Sequence, residues 1–292
     1  MSERHKHRPH LAYTRGAVAV LSILLLAGCG DDEPQNPSIA GVCDFERELD
    51  DCYDDGSYSA NGERPEEWEE ICSIRCNSVS FISTNQADRE QLRALEAFSE
   101  IRTFRLRNAR SDVTDLSFLS GQTSFTNIEL NGTGGLKTLA GLESLETIQP
   151  DEGEWEVGDV GGFIDITDSG IEDVTLPSLR LGQVSINNAG NLRTVDLPAL
   201  ENGFLVMIGT GARTIRGGNE STRFEGAIRL QRNRSLAKID GFQNLAFLGG
   251  LVVEDNSSLP CSEIEPLASV EQFGDGLVSI SGNQEPCDFG QP

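Results

Sequence analysis

Three histidines, seven cysteines and a large excess of carboxylates are the residues of this 292-residue chain best suited to chemistry. His5, His7 and His10 all lie in the first 28 residues, with Arg4, Lys6, Arg8, Arg15 and a single acid, Glu3. If that stretch is removed on export, 264 residues remain with 19 basic and 46 acidic groups, a net charge of −27, and no imidazole. Without imidazole there can be no Ser-His-Asp or Cys-His nucleophile and no His-ligated zinc. Paired carboxylates remain. Asp165 with Asp168 and Glu172 with Asp173 are candidates for acid/base work. Asp165, set between Ile164 and Ile166, faces outward and would need a carboxylate on a neighbouring strand, but the next repeat offers Ser185. An Arg-based lyase would need clustered arginines, and the outward Arg105 and Arg229 are far apart. The expectation is a protein that is not an enzyme, with no cofactor and no metal. Nucleic acid is excluded as a partner, because its phosphates would be repelled over most of the surface.

Two segments could instead bind. The stretch 149–162 is an acidic insertion carrying Trp155 between Glu154 and Glu156, and an exposed Trp is a common anchor for sugars or proteins. Arg102, Arg105, Arg107 and Arg110 form a local basic patch, with Arg105 and Arg107 on one strand face and Leu106 inward. Such a pair can grip a carboxylate or phosphate, or be spent on a nearby acid such as Glu129.

The cysteines report on location. Residues 1–28 read as an export signal: a basic start, then an apolar run from Gly16 to Ala27. Twelve residues span about 18 Å as a helix, too short to cross a hydrocarbon core of roughly 30 Å. The run ends in Leu26-Ala27-Gly28-Cys29, which resembles the lipobox of bacterial lipoproteins. That resemblance implies diacylglycerol on Cys29, cleavage before it and acylation of the new amino terminus, hence a membrane anchor and a place in the bacterial cell envelope. Gly30, where Asp would favour inner-membrane retention, points to the outer membrane. Residues 29–42 read as a polar, Pro-containing tether.

Six cysteines remain, an even number suited to three disulfides in an oxidising compartment. Cys43, Cys52, Cys72 and Cys76 crowd the start, while Cys261 and Cys287 bracket the end. Closing the later loop would stabilise by about 3 kcal/mol. The early four sit on two expected short helices, 43–52 and 65–76, so residues 43–77 are expected as a disulfide-linked helical cap. They lack the paired CxxC spacing of a zinc site. The stretch Asp50–Gly56 fails as a calcium loop, because its twelfth position is Gly62 rather than Glu.

All of these candidates must be positioned by a repeat. Short alternating apolar stretches recur nine times from Val79 onward, and one apolar residue from each gives Ile82, Leu106, Leu130, Ile166, Ile186, Ile208, Leu230, Val253 and Ile280. The separations are 24, 24, 36, 20, 22, 22, 23 and 27, the longest being the insertion. Between them a second pattern recurs. Ile171, Val174, Leu176 and Leu179 match Leu192, Val195, Leu197 and Leu200, each set with Leu-Pro at the same place. Leu136, Leu139, Leu142 and Leu145 share a related spacing with Leu236, Ile239, Phe242 and Leu245. The stretch 210–219 lacks the Leu-Pro. One strand plus a return path cannot enclose a core alone, but stacked coils can. The fold expected is mostly β, a right-handed parallel β-solenoid of about nine 20–27-residue coils over residues 78–292, with Asn at the left-handed corners and in structural rows.

Blocks such as 184–200 resemble receptor L-domain repeats, and the ending from Asn256 to Cys287 is similar to the closing Cys pair of bacterial members. General leucine-rich repeats are the neighbouring alternative, their consensus only loosely met. The resemblance covers roughly Val79 to the end and implies ligand binding through flat faces. The function expected is thus a non-enzymatic, lipid-anchored envelope protein presenting a repeat surface to a protein or glycan. The alternatives are a carbohydrate-active β-helix enzyme and a spacer without specific ligand.

Overall fold

The computed structural model describes residues 57–61, 78–83, 87–98, 100–149, 162–218, 223–285, 287 and 289. Seventeen strands occur among them: β1 (Ser57–Asn61), β2 (Ser78–Ser83), β3 (Glu100–Arg107), β4 (Ser124–Phe125), β5 (Asn127–Asn131), β6 (Thr147–Ile148), β7 (Phe163–Thr167), β8 (Asp173–Thr175), β9 (Leu181–Asn187), β10 (Thr194–Leu197), β11 (Asn202–Ile208), β12 (Thr214–Gly217), β13 (Arg223–Gln231), β14 (Lys238–Gly241), β15 (Phe247–Glu254), β16 (Gln272–Phe273) and β17 (Val278–Ser281). Thirteen form one sheet whose main path runs β1-β2-β3-β5-β7-β9-β11-β13-β15-β16, with β17 also on β15. β8, β10, β12 and β14 form a second sheet on the return path. Every pairing is parallel, and the strands wind a β-solenoid of about seven turns. Full turns are thus fewer than the nine repeat stretches. β1 lies within the stretch 43–77 expected as a helical cap, so the sheet begins one strand earlier than the repeat.

Alternation places one set of side chains inside. Leu106, Leu130, Ile166, Ile186, Met207, Leu230, Val253 and Ile280 stand in one register column. Two expected members differ. Met207, not Ile208, faces the core, because apolar residues occupy both faces of β11 and parity alone could not be read there. At the start, Phe81 pairs with Phe104 after a register shift at Val79/Ser80, which takes Ile82 out of the column. The four return-path sets are all buried as expected. In the coil lacking Leu-Pro, the ring of Phe242 from the next coil fills the space over Gly217 and Gly218 and meets Phe224 edge-on at 6.0 Å.

The corners separate two roles that the sequence merges. The left-handed position is held by Asn108, Asp168, Asn188, Arg232 and Asp255, with Gly132, Gly209 and Gly282 on other coils. The residue after it turns inward and carries the ladder. Asn233 Nδ2 donates to Met207 O, Asn256 Nδ2 to Leu230 O and Asn283 Nδ2 to Val253 O, at 2.9–3.0 Å. Each Asn Oδ1 accepts the backbone N–H one coil earlier, of Thr210, Asn233 and Asn256 respectively. Short helices complete the described chain: α1 (Arg89–Leu92), with an Asp88/Gln91 capping box, and α2 (Cys261–Ala268). Cys261 in the first turn of α2 is bonded to Cys287, as the grouping of cysteines implied.

Candidate functional site

Cys29, the early Cys43, Cys52, Cys72 and Cys76, and the insertion residues Glu154, Trp155 and Glu156 lie outside the described residues. The arginine patch is described. Arg105 Nε lies 2.8 Å from Glu129 Oε1 and Arg107 Nη2 3.7 Å from Glu129 Oε2, so both guanidinium groups converge on one carboxylate of the next coil. Arg102 pairs with Glu100 and Arg110 with Asp88. Asp165 does face a carboxylate: its register partner on the preceding coil is Glu129, hidden in the sequence by the 36-residue separation. Glu129 is occupied by the arginines, and Asp165 accepts hydrogen bonds from Thr167 and Asn187. Glu172 is held by Lys137 and Arg193, while Asp173 lies in β8 opposite Thr194.

A different feature crosses the coils. Gly162, Gly182, Gly203, Gly226, Gly249 and Gly276 each stand two residues before a member of one register column, Ile164, Val184, Leu205, Ile228, Leu251 and Val278. Here the backbones approach so closely that no side chain fits: a Cβ on Gly203 would lie 1.9 Å from Gly182 O, and one on Gly226 1.5 Å from Gly203 O. The column of glycines leaves a trough. Its first part encloses about 180 Å³, lined by Ile148, Gly162, Gly182, Gln183, Asn202 and Phe204 among others. A wider part encloses about 590 Å³ and adds Arg223, Phe247, Phe273 and Asp275, with Phe204, Glu225 and Gly226 common to both.

The trough is built by a bulge. The register of β13 on β15 shifts between Phe224 and Ala227, which frees the N–H groups of Glu225 and Gly226 from the ladder. Asn202 Oδ1 takes both, at 2.9 and 3.2 Å, and also Gly203 N–H at 2.8 Å. Beside the glycines stands an outward column, Phe163, Gln183 and Phe204 on successive coils, all part-exposed. Gln183 Oε1 is buried and accepts no hydrogen bond, a condition costing about 1–3 kcal/mol. The Arg223 guanidinium lies 4.0 Å above the Phe247 ring and is bonded to Glu225 at 2.9 Å. Farther along, Val206, Ile208 and Val252 are part-exposed on the same face, and Leu277 is 68 % exposed. Outward apolar groups thus gather on the later coils, while the earlier ones carry Arg105, Glu129 and Asp165.

Sequence reading passed over this trough because it followed charges and Trp155. The signal was present: glycine before an outward residue and an inward apolar one, at separations of 20, 21, 23, 23 and 27. No group of three metal-ligating side chains and no helix able to span a membrane occurs among the described residues. No family model, curated protein or solved structure matches the chain.

Proposed function

We propose that the chain is a lipid-anchored protein of the bacterial envelope, held through Cys29, whose solenoid presents a binding surface to a protein or glycan. One observation carries the binding reading: the rings of Phe204, Phe247 and Phe273 line one trough across the later coils, which a mere spacer would have no reason to build. The likeness of its repeats to receptor L-domains supports a binding role, and the lipobox-like ending of the apolar run supports the anchor and an outer-membrane address. The acidic insertion with Glu154, Trp155 and Glu156 belongs to the same reading, since its described flanks Ile148 and Gly162 both line the trough. Arg105 and Arg107 serve instead to bind coils through Glu129.

The anchor is tested by Cys29→Ser, partitioned between detergent and water after expression in a bacterial host. Wild type is expected in the detergent phase and the variant in the aqueous phase. A variant that still enters detergent fully would refute lipidation at Cys29.

A further inference from the structure

We infer that the trough binds a neutral linear oligosaccharide laid across the coils, with Phe204 as its central stacking platform. This deepens the binding reading above and rests on it. The geometry restricts the occupant in three ways.

The trough crosses several coils and is continuous past Phe204 from the 180 Å³ part to the 590 Å³ part. It suits a chain rather than a folded surface, which needs roughly 800 Å² on each partner. A peptide strand is poorly served there as well. The exposed N–H groups of the bulge are already taken by Asn202, and the flanking backbone is spent on neighbouring coils, so main-chain pairing has nowhere to form.

The side chains that remain beside the glycines are the Phe204 ring and the Gln183 amide in the lining, with Phe163 in the same outward column beyond it. Phe163 and Phe204 flank Gln183 on successive coils, so the rings are two strand spacings apart, about 10 Å. That interval is commensurate with a disaccharide, whose apolar faces stack on rings while its hydroxyls donate to amide oxygens. Gln183 Oε1, without a donor, is such an acceptor once its amide turns.

Charge fixes the remaining choice. Among the described residues lining the trough the one cation, Arg223, is engaged by Glu225 and Phe247, and Asp275 adds a negative charge. With −27 on the chain after export, uronic or sulfated glycans are repelled. A neutral chain is not.

The test titrates the full chain in detergent, by calorimetry, with cellohexaose, maltohexaose and N-acetylchitohexaose, and with heparin as a polyanion. At least one neutral hexasaccharide is expected to bind saturably and heparin not at all. Phe204→Ala should weaken that binding at least tenfold with an unchanged melting temperature, because the ring lies outside the core. Gln183→Ala should weaken it too. Failure of all three sugars, or Phe204→Ala binding as tightly as wild type, overturns the inference. A photoreactive phenylalanine analogue in place of Ala227, irradiated with envelope extract, separates the two readings. A protein adduct without sugar binding removes the glycan and leaves the binding surface standing; neither sugar binding nor adduct removes both.

Discussion

Asn256 is wholly buried and joins three coils through its side chain. Its Oδ1 accepts from the backbone N–H and the Nδ2 of Asn233 at 2.9 and 3.2 Å, while its Nδ2 donates to Leu230 O and Asn283 Oδ1 at 2.9 and 3.2 Å. Asn256→Ala leaves a buried donor and a buried acceptor unpaired, at about 1–3 kcal/mol each. A loss of about 3 kcal/mol is therefore expected in urea unfolding, and a loss below about 1 kcal/mol would show that the ladder is ornamental to stability. Asp115 gives a pH-dependent counterpart. Burial raises its carboxyl, but the bidentate Arg89, at 2.8 and 3.0 Å, and Ser117 outweigh that and hold it at about 2. A depressed folded value means stability that is present above the unfolded value near 4 and lost as pH falls towards 2. After discounting for solvent screening, about 1 kcal/mol is at stake. Asp115→Asn should cost that much at pH 7, and the gap between variant and wild type should shrink from pH 4 downward and close as pH falls through about 2. A gap independent of pH would show that the pair acts through packing alone.

At the scale of elements, regular alternation made the strands legible, and its breaks are where reading failed. β9 alternates without exception, with Val184 and Ile186 inward, so parity and register could both be counted off the chain. β11 could not be read that way, because Leu205, Val206, Met207 and Ile208 are all apolar and only stacking on Ile186 and Leu230 selects Met207. The return-path sets were readable because their four-point spacing repeats between coils. The ladder was half legible: Asn residues after strands stood out, but which of two adjacent positions turns inward depends on the left-handed residue before it, at Arg232 and Asp255. The trough was the least legible part. Its floor is made of glycines, which carry no chemistry of their own, and its walls come from different coils. Glu129 beside Asp165 shows the same blindness, for contacts across an insertion follow spatial register rather than sequence separation.

Across the whole solenoid, stacking is indifferent to what leaves the coil between β6 and β7. Leu130 and Ile166 remain register partners although 36 residues separate them. The ends of the insertion are pinned by neighbouring coils, since Gln149 N–H donates to Phe125 O at 3.0 Å and Gly162 O accepts from Gln183 N–H at 3.3 Å. They also lie close together: a Cβ on Gly162 would be 3.0 Å from Gln149 N. Four residues can bridge such a gap, so deleting Asp151–Gly158 should leave a short loop and intact coils. The melting temperature is expected to move by no more than about 2 °C, because every core residue and ladder bond of the described coils is retained. Unfolding of the deletion variant would instead make Trp155 a plug on which the coils depend. The same variant measures what the segment adds to binding at the adjoining trough. An affinity loss that disappears in about 0.5 M salt belongs to the removed acids, Asp151, Glu152, Glu154 and Glu156, whereas a loss that persists belongs to Trp155.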